Sequence, residues 1–304
     1  MAIEMKGRHI LSIHDLSGDE VCHILDTAEA IKKKHALGER NLSLQGKTLG
    51  MIFHKNSTRT RISFEVAAWQ LGGYALYLNA NDLQLKRGET IADTARILSR
   101  FVDGVVIRTY SQQEVAELAR HASIPVINGL TDLLHPCQVL SDLLTIKEKL
   151  GRLAGLTLLY LGDGNNIAHS LMLGGAKTGL NIIVCTPEGR EPDAEIARQA
   201  REDAAITGAE IELCIDPGRV IKKADLIYTD AWASMGREEQ PLDRKIFSRY
   251  QVNRALLAGA RPEALVMHCL PAHRGEEITD EVIDGPQSIV FDQAENRLHL
   301  QKAL

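Results

Sequence analysis

The sequence predicts an α/β protein of two doubly wound domains, each with a central parallel sheet, joined by long interdomain helices. Two observations predict it. From Lys47 onward, apolar runs of strand length alternate with runs of helical periodicity, which is the order of βαβ units. The alternation restarts after a long helical stretch at 136–150, and 304 residues exceed the length at which one core keeps growing.

The elements follow in order. Ser17-Gly18-Asp19-Glu20 is a capping box with Leu16 placed as its hydrophobic staple, and it opens a helix to about Lys34 whose basic end suits the helix dipole. Strand 48–53, helix 58–71, strand 75–78, helix 90–101, strand 104–108, helix 112–121 and strand 125–128 form the first sheet and its covering helices. Helix 136–150 buries Val139, Leu140, Leu143, Leu144 and Ile146 and connects the halves. Strand 156–161, helix 166–178, strand 181–186, helix 193–207 and strands 210–215, 225–229, 265–270 and 288–291 form the second sheet. A short helix at 294–304 closes the chain. The expected domains are 1–134 and 135–293, with 294–304 packing back on the first.

Composition narrows the function. The chain is 44% hydrophobic with net charge −5, from 35 basic and 40 acidic residues, and no basic stripe offers itself to nucleic acid. No apolar run reaches membrane-spanning length. Met1 to Asp15 has neither a signal-peptide core nor the acid-poor character of a transit peptide, so a cytoplasmic protein is expected. Five cysteines, Cys22, Cys137, Cys185, Cys214 and Cys269, are odd in number and contain no C-x-x-C pair, against a disulfide framework or a thiolate zinc site. Small molecules are the expected partners.

Ser57-Thr58-Arg59-Thr60-Arg61, between a strand and a helix, is the most informative segment. A helix start presents unpaired N–H groups and partial positive charge, and two arginines and three hydroxyls add donors to it, which suits a phosphate. The plain alternative is a capped helix whose arginines lie in solvent. Arg108 ends the apolar run Val105 to Ile107, either snorkelling to the surface or reaching into a site. In His135-Pro136-Cys137-Gln138, the proline suits a first helical turn. The histidine and glutamine either face one ligand together, or His135 caps its own helix.

Gly162-Asp163-Gly164-Asn165-Asn166-Ile167 follows a strand and invites a dinucleotide reading, with Glu188 near the end of the next strand. Ile167 stands where the third glycine belongs, leaving a nicotinamide-dependent dehydrogenase as the rival. Asp230 with Ser234 four residues on suits an ammonium group, carboxylate as counter-ion and hydroxyl as second acceptor. His268 and Cys269 are expected on opposite sides of a strand, and there is no H-E-x-x-H, so neither metal nor cofactor is expected.

Taken together, Ser57-Thr58-Arg59-Thr60-Arg61, His135-Pro136-Cys137-Gln138, Asp230 with Ser234-Met235-Gly236, and His268-Cys269-Leu270-Pro271 resemble the carbamoyltransferase family over nearly the whole chain, and the last two segments resemble its ornithine branch. The resemblance implies a first half that binds carbamoyl phosphate and a second that binds L-ornithine, with citrulline and phosphate as products. It implies a homotrimer or an assembly of trimers with sites at subunit boundaries, and a loop at 81–88 that carries Gln84 into a neighbour's site. Carried over, it gives Ser57, Thr58, Arg59, Thr60, Gln84, Arg108, His135, Gln138, Cys269, Leu270 and Arg297 to carbamoyl phosphate. Asn166, Asp230, Ser234 and Met235 go to ornithine, and Arg108, His135, Asp230 and Cys269 to catalysis. Putrescine, N-acetylornithine and aspartate are the alternative acceptors.

Overall fold

A computed structural model describes residues 3–232 and 244–304. The described chain divides into two compact units, residues 1–144 with 296–304, and residues 145–295.

Unit 1 opens with α1 (Gly18–Ala36). The Ser17 side chain accepts from Glu20 N at 3.1 Å and the Glu20 carboxylate accepts from Ser17 N at 2.8 Å, so the capping box is formed on both sides. Four parallel strands follow, β1 (Thr48–Phe53), β2 (Tyr74–Asn79), β3 (Gly104–Arg108) and β4 (Val126–Leu130), in the order β2-β1-β3-β4. Helices α2 (Thr58–Gln70), α3 (Ile91–Phe101) and α4 (Gln112–His121) are the crossovers. From β1 the chain first winds outward to β2 and then returns to the far side at β3. The C-terminal ends of β1 and β3 therefore flank a topological switch point, where doubly wound sheets bind ligands. Ser57 follows β1 and Arg108 ends β3.

Helix α5 (Pro136–Leu150) begins in unit 1 and ends in unit 2. Val139, Leu140, Leu143, Leu144 and Ile146 are fully buried, as their spacing requires. Unit 2 holds β5 (Thr157–Leu161), β6 (Asn181–Cys185), β7 (Ile211–Cys214), β8 (Leu226–Thr229) and β9 (Leu265–His268), all parallel, in the order β7-β6-β5-β8-β9. Its switch point lies between β5 and β8. Helix α6 (Asn166–Thr178) is buried from Asn166 to Ala176, and α7 (Ala194–Thr207) keeps one buried side. Gly175 lets α6 sit close to β6, because a Cβ there would come within 2.3 Å of Ile182 Cγ1.

One expected strand is absent. Ser288 makes only an isolated bridge to Val266, and Val290 already starts the last helix, α8 (Val290–Ala303), so 288–291 adds no strand and the terminal helix is longer than the expected 294–304. Ile289-Val290-Phe291 is too short an apolar run for its periodicity to tell a strand from a buried helix start. Among the described residues, no helix is long and apolar enough to cross a membrane.

Candidate active site

In unit 1 the start of α2 is capped by Ser57, whose hydroxyl accepts from Thr60 N at 3.2 Å. The capped-helix reading of this residue is thus realised, and it leaves the helix N-terminus facing the switch point. Thr58 is exposed, Arg59 half-buried and Thr60 buried. Arg61 departs from the cradle. Its Nε donates to Glu65 Oε1 at 3.0 Å and its guanidinium stacks 3.8 Å from the Tyr77 ring centroid, because one residue along a helix turns a side chain through about 100°. Only one of the two arginines of the segment therefore stays with the cluster.

Arg108 is 4% exposed, so it does not snorkel. A register shift between β3 and β4 falls between Ile107 and Arg108. His135 lies at the N-terminal end of α5, buried beside cations. Burial first, and then the guanidiniums of Arg297, Arg108 and Arg59, hold its pKa well below the usual histidine range. The imidazole is neutral at neutral pH, and three arginines converge on it.

Arg297, from the terminal helix, ties the cluster together. Its Nη1 donates to Gln138 Oε1 at 2.5 Å and its Nη2 to Thr60 Oγ1 at 3.0 Å, joining the starts of α2 and α5. Gln138 Nε2 donates in turn to Asp142 Oδ1 at 2.8 Å. Gln84 is exposed in a short 3-10 turn (Gln84–Arg87), and no side-chain bond joins it to this cluster among the described residues.

Several polar residues here escaped sequence reasoning. Lys55, 8% exposed, pairs with Asp132 Oδ1 at 2.5 Å and lies 4.0 Å from the Tyr110 ring centroid. His54 Nε2 is 3.1 Å from Glu114 Oε1, and the Thr109 hydroxyl donates to Glu114 Oε2. Burial would raise the pKa of Glu114, but its bonds to His54 and Thr109 outweigh that and lower it. The signal was present in the placement of His54-Lys55 directly after an apolar strand, the same position that singled out Arg108.

In unit 2, Asn165 caps α6, accepting from Ile167 N at 3.0 Å and Ala168 N at 3.2 Å, and its Nδ2 donates to Asp230 Oδ2 at 2.8 Å. That bond bridges the switch point between β5 and β8. Asp230 Oδ1 accepts from Cys269 Sγ at 3.0 Å and from Ala231 N at 2.8 Å. The Tyr160 hydroxyl donates to Asp163 O at 2.9 Å and lies 3.2 Å from Asn165 Oδ1. Burial, with the charges of Asp230, Asp163 and Cys269 adding to it, raises the phenol's pKa well above its ordinary value, so Tyr160 stays a neutral donor. Asn166 is the first residue of α6 and is buried. Its neighbour Asn165, not singled out from sequence, is the residue that holds Asp230, although an Asn directly before a helix is a cap signal. Ser234 and Met235, with Gly236, lie outside the described residues.

His268 and Cys269 do not point to opposite sides. Asp230, His268 and Cys269 offer polar atoms within 4.8 Å of one another. The strand ends at His268 and the backbone turns, with Leu270 at φ 58°, so two-residue alternation stops there. Both ring nitrogens of His268 are engaged, Nδ1 accepting from Leu270 N at 2.8 Å and Nε2 facing the buried Glu277 carboxylate at 3.0 Å.

Gly164 decides the dinucleotide question on geometry. A Cβ there would meet Glu191 C and Pro192 N at 2.4 Å, and its own N–H donates to Arg190 O at 2.9 Å. The close approach this glycine permits is to the chain's own 190–192 backbone, whereas the glycine of a dinucleotide fingerprint permits close approach of a pyrophosphate.

Two doubly wound units with polar groups gathered at their switch points, one of them rich in guanidinium groups at a helix start, define an α/β enzyme acting on small anionic substrates. The sequence profile of the aspartate/ornithine carbamoyltransferase carbamoyl-P binding domain matches residues 8–148, and that of the family's Asp/Orn binding domain matches 154–304. The chain belongs to the aspartate/ornithine carbamoyltransferase family. It is 57% identical to the ornithine carbamoyltransferase of Thermococcus kodakarensis over 100% of this chain and 97% of that protein. It is 55% identical to the anabolic ornithine carbamoyltransferase of Pyrococcus furiosus over 100% of this chain and 97% of that protein. The solved ornithine carbamoyltransferase from Pyrococcus furiosus superposes with a TM-score of 0.96 at 55% identity, covering 99% of this chain and 97% of that one.

Proposed function

We propose that the chain transfers the carbamoyl group of carbamoyl phosphate to the δ-amine of L-ornithine, giving L-citrulline and phosphate. The observation that carries this reading is the Arg297 bridge between Thr60 and Gln138, beside Arg108 and His135 at the switch point of unit 1. Family membership and the likeness to enzymes named ornithine carbamoyltransferase support it.

The α2 N-terminus with Ser57, Thr58, Arg59 and Thr60, and Arg108, hold the phosphate and stabilise it as it leaves. Arg108, neutral His135 and Thr60 donate to the carbamoyl oxygen as it gains charge. Gln138 and the Leu270 carbonyl orient the carbamoyl NH2, and Arg297 keeps Thr60 and Gln138 in register. Asn166 takes the ornithine carboxylate, while Asp230, Ser234 and Met235 take its α-ammonium end. The δ-amine, with a reference pKa of about 10.4 for such a group, must lose a proton before it attacks. That first proton goes to solvent; the neutral nitrogen then bonds to the carbamoyl carbon, the bond from that carbon to the phosphate oxygen breaks, and the departing phosphate takes the second proton, the one the nitrogen sheds as the new C–N bond forms. Cys269, held on Asp230, lies beside the amine and forms no covalent intermediate, because the amine is itself the nucleophile. The reading further includes a homotrimer or assembly of trimers in the cytoplasm, with Gln84 completing a neighbour's site. The anabolic relative favours the direction of arginine synthesis.

Supplying L-ornithine, putrescine, N-acetylornithine and L-aspartate in parallel with carbamoyl phosphate tests the assignment. Citrulline formation exceeding every other product at least about 100-fold is expected, from one unmatched charged group at the acceptor site. Preference for another acceptor overturns the roles given to Asp230 and Ser234.

A further inference from the structure

Unit 1 contains a cavity of about 950 Å³ at the end of its sheet opposite the active-site cluster. The first residues of β1, β2 and β3 line it, while Arg108 lies four residues along β3, about 13 Å away at the usual strand rise. Its volume falls at the upper end of the range for small-molecule sites. Leu49, Phe64 and Leu71 contribute apolar wall, and so does the last turn of α8.

That last turn brings two polar side chains with no partner among the described residues. Gln301 is 5% exposed, and neither its Oε1 nor its Nε2 has a hydrogen-bond partner. Lys302 is 6% exposed, and burial alone lowers its pKa, with no carboxylate acting on it. Five basic side chains line the cavity against one acidic side chain, Asp103, which is already taken by Lys47 at 2.7 Å. Lys302 has no counter-ion among the described residues, and the Gln301 amide, buried with both ends unpaired, costs free energy that a ligand able to bond to it would recover. A ligand carrying an anionic acceptor and seated in the cavity would satisfy both groups.

We propose that this cavity binds a small organic carboxylate with an apolar body, the carboxylate on Lys302 Nζ and Gln301 Nε2 and the body against Leu49, Phe64 and Leu71. A carboxylate supplies the missing counter-charge, and the apolar wall distinguishes it from inorganic anions. The site is independent of the catalytic reading, since no residue of it belongs to the active-site cluster.

Calorimetric titration of the intact protein with hexanoate, and separately with inorganic phosphate, tests this in the wild type, Lys302→Met and Gln301→Leu. Hexanoate is expected to bind the wild type and to bind Lys302→Met at least about tenfold more weakly, the loss of one charge-assisted hydrogen bond, with carbamoyl-transfer turnover unchanged. Gln301→Leu should weaken it less, and serves as the second variant if Lys302→Met does not fold. Phosphate binding should be the same in wild type and Lys302→Met. Hexanoate binding that both variants leave unchanged, or no binding at about 10 mM, overturns the proposal. Phosphate matching hexanoate in its dependence on Lys302 overturns it too, since the apolar body would then play no part.

Discussion

At the residue scale, the candidate active-site cluster of unit 1 depends on a side chain from the far end of the chain. Arg297 donates to Thr60 and Gln138 together, and hydrogen bonds from a charged donor contribute about 1.5–3 kcal/mol each. Arg297→Met should therefore lower kcat/KM for carbamoyl phosphate by roughly 10² or more, read by steady-state kinetics, with the protein still folded by circular dichroism. His135 makes a prediction about pH. Its folded pKa lies well below the unfolded value of 6.5, so below about pH 6.5 the unfolded chain binds more protons than the folded one, and stability falls as pH drops through that window. His135→Asn should flatten this acid loss: the difference in Tm between pH 7 and pH 5 shrinks relative to wild type. An unchanged difference would mean that His135 titrates normally.

At the scale of elements, helix starts and close helix–strand contacts position the chemistry. Ser57 and Asn165 cap α2 and α6, and both sit at switch points, so the same two residues end a loop, start a helix and border a site. Gly175 carries the packing of α6 on β6. Gly175→Ala forces a methyl group into Ile182 and the Leu180 carbonyl, and should cost about 1–3 kcal/mol, seen as a lower denaturation midpoint with little change in m. A fully active Gly175→Ala protein of wild-type stability would show that α6 can shift to make room. Most elements were legible from apolar periodicity and caps, because those signals are local. The segment 288–291 was not, since a three-residue apolar run does not carry a period.

At the scale of the whole molecule, the proposed trimer places Gln84 in a neighbour's site. Two inactive variants, Arg108→Ala and Gln84→Ala, mixed in equal amounts and reassembled, should regain activity, about one site in three within each mixed trimer and about one in four over all randomly composed trimers. No recovery in verified mixed trimers removes Gln84 from the site. Composition, βαβ order and the four motifs determined the fold class and gathered the polar residues at strand ends, because strand and helix periods and helix-start chemistry are written in neighbouring residues. Only the tertiary structure decided that Arg297 joins Thr60 and Gln138, that Arg61 leaves for Glu65 and Tyr77, and that Asn165 holds Asp230. It also decided that Gly164 makes room for the chain's own backbone. Apart from the local Arg61–Glu65 pair, these pairings span tens to hundreds of residues, and nothing in local sequence specifies which distant side chain will satisfy a buried polar group.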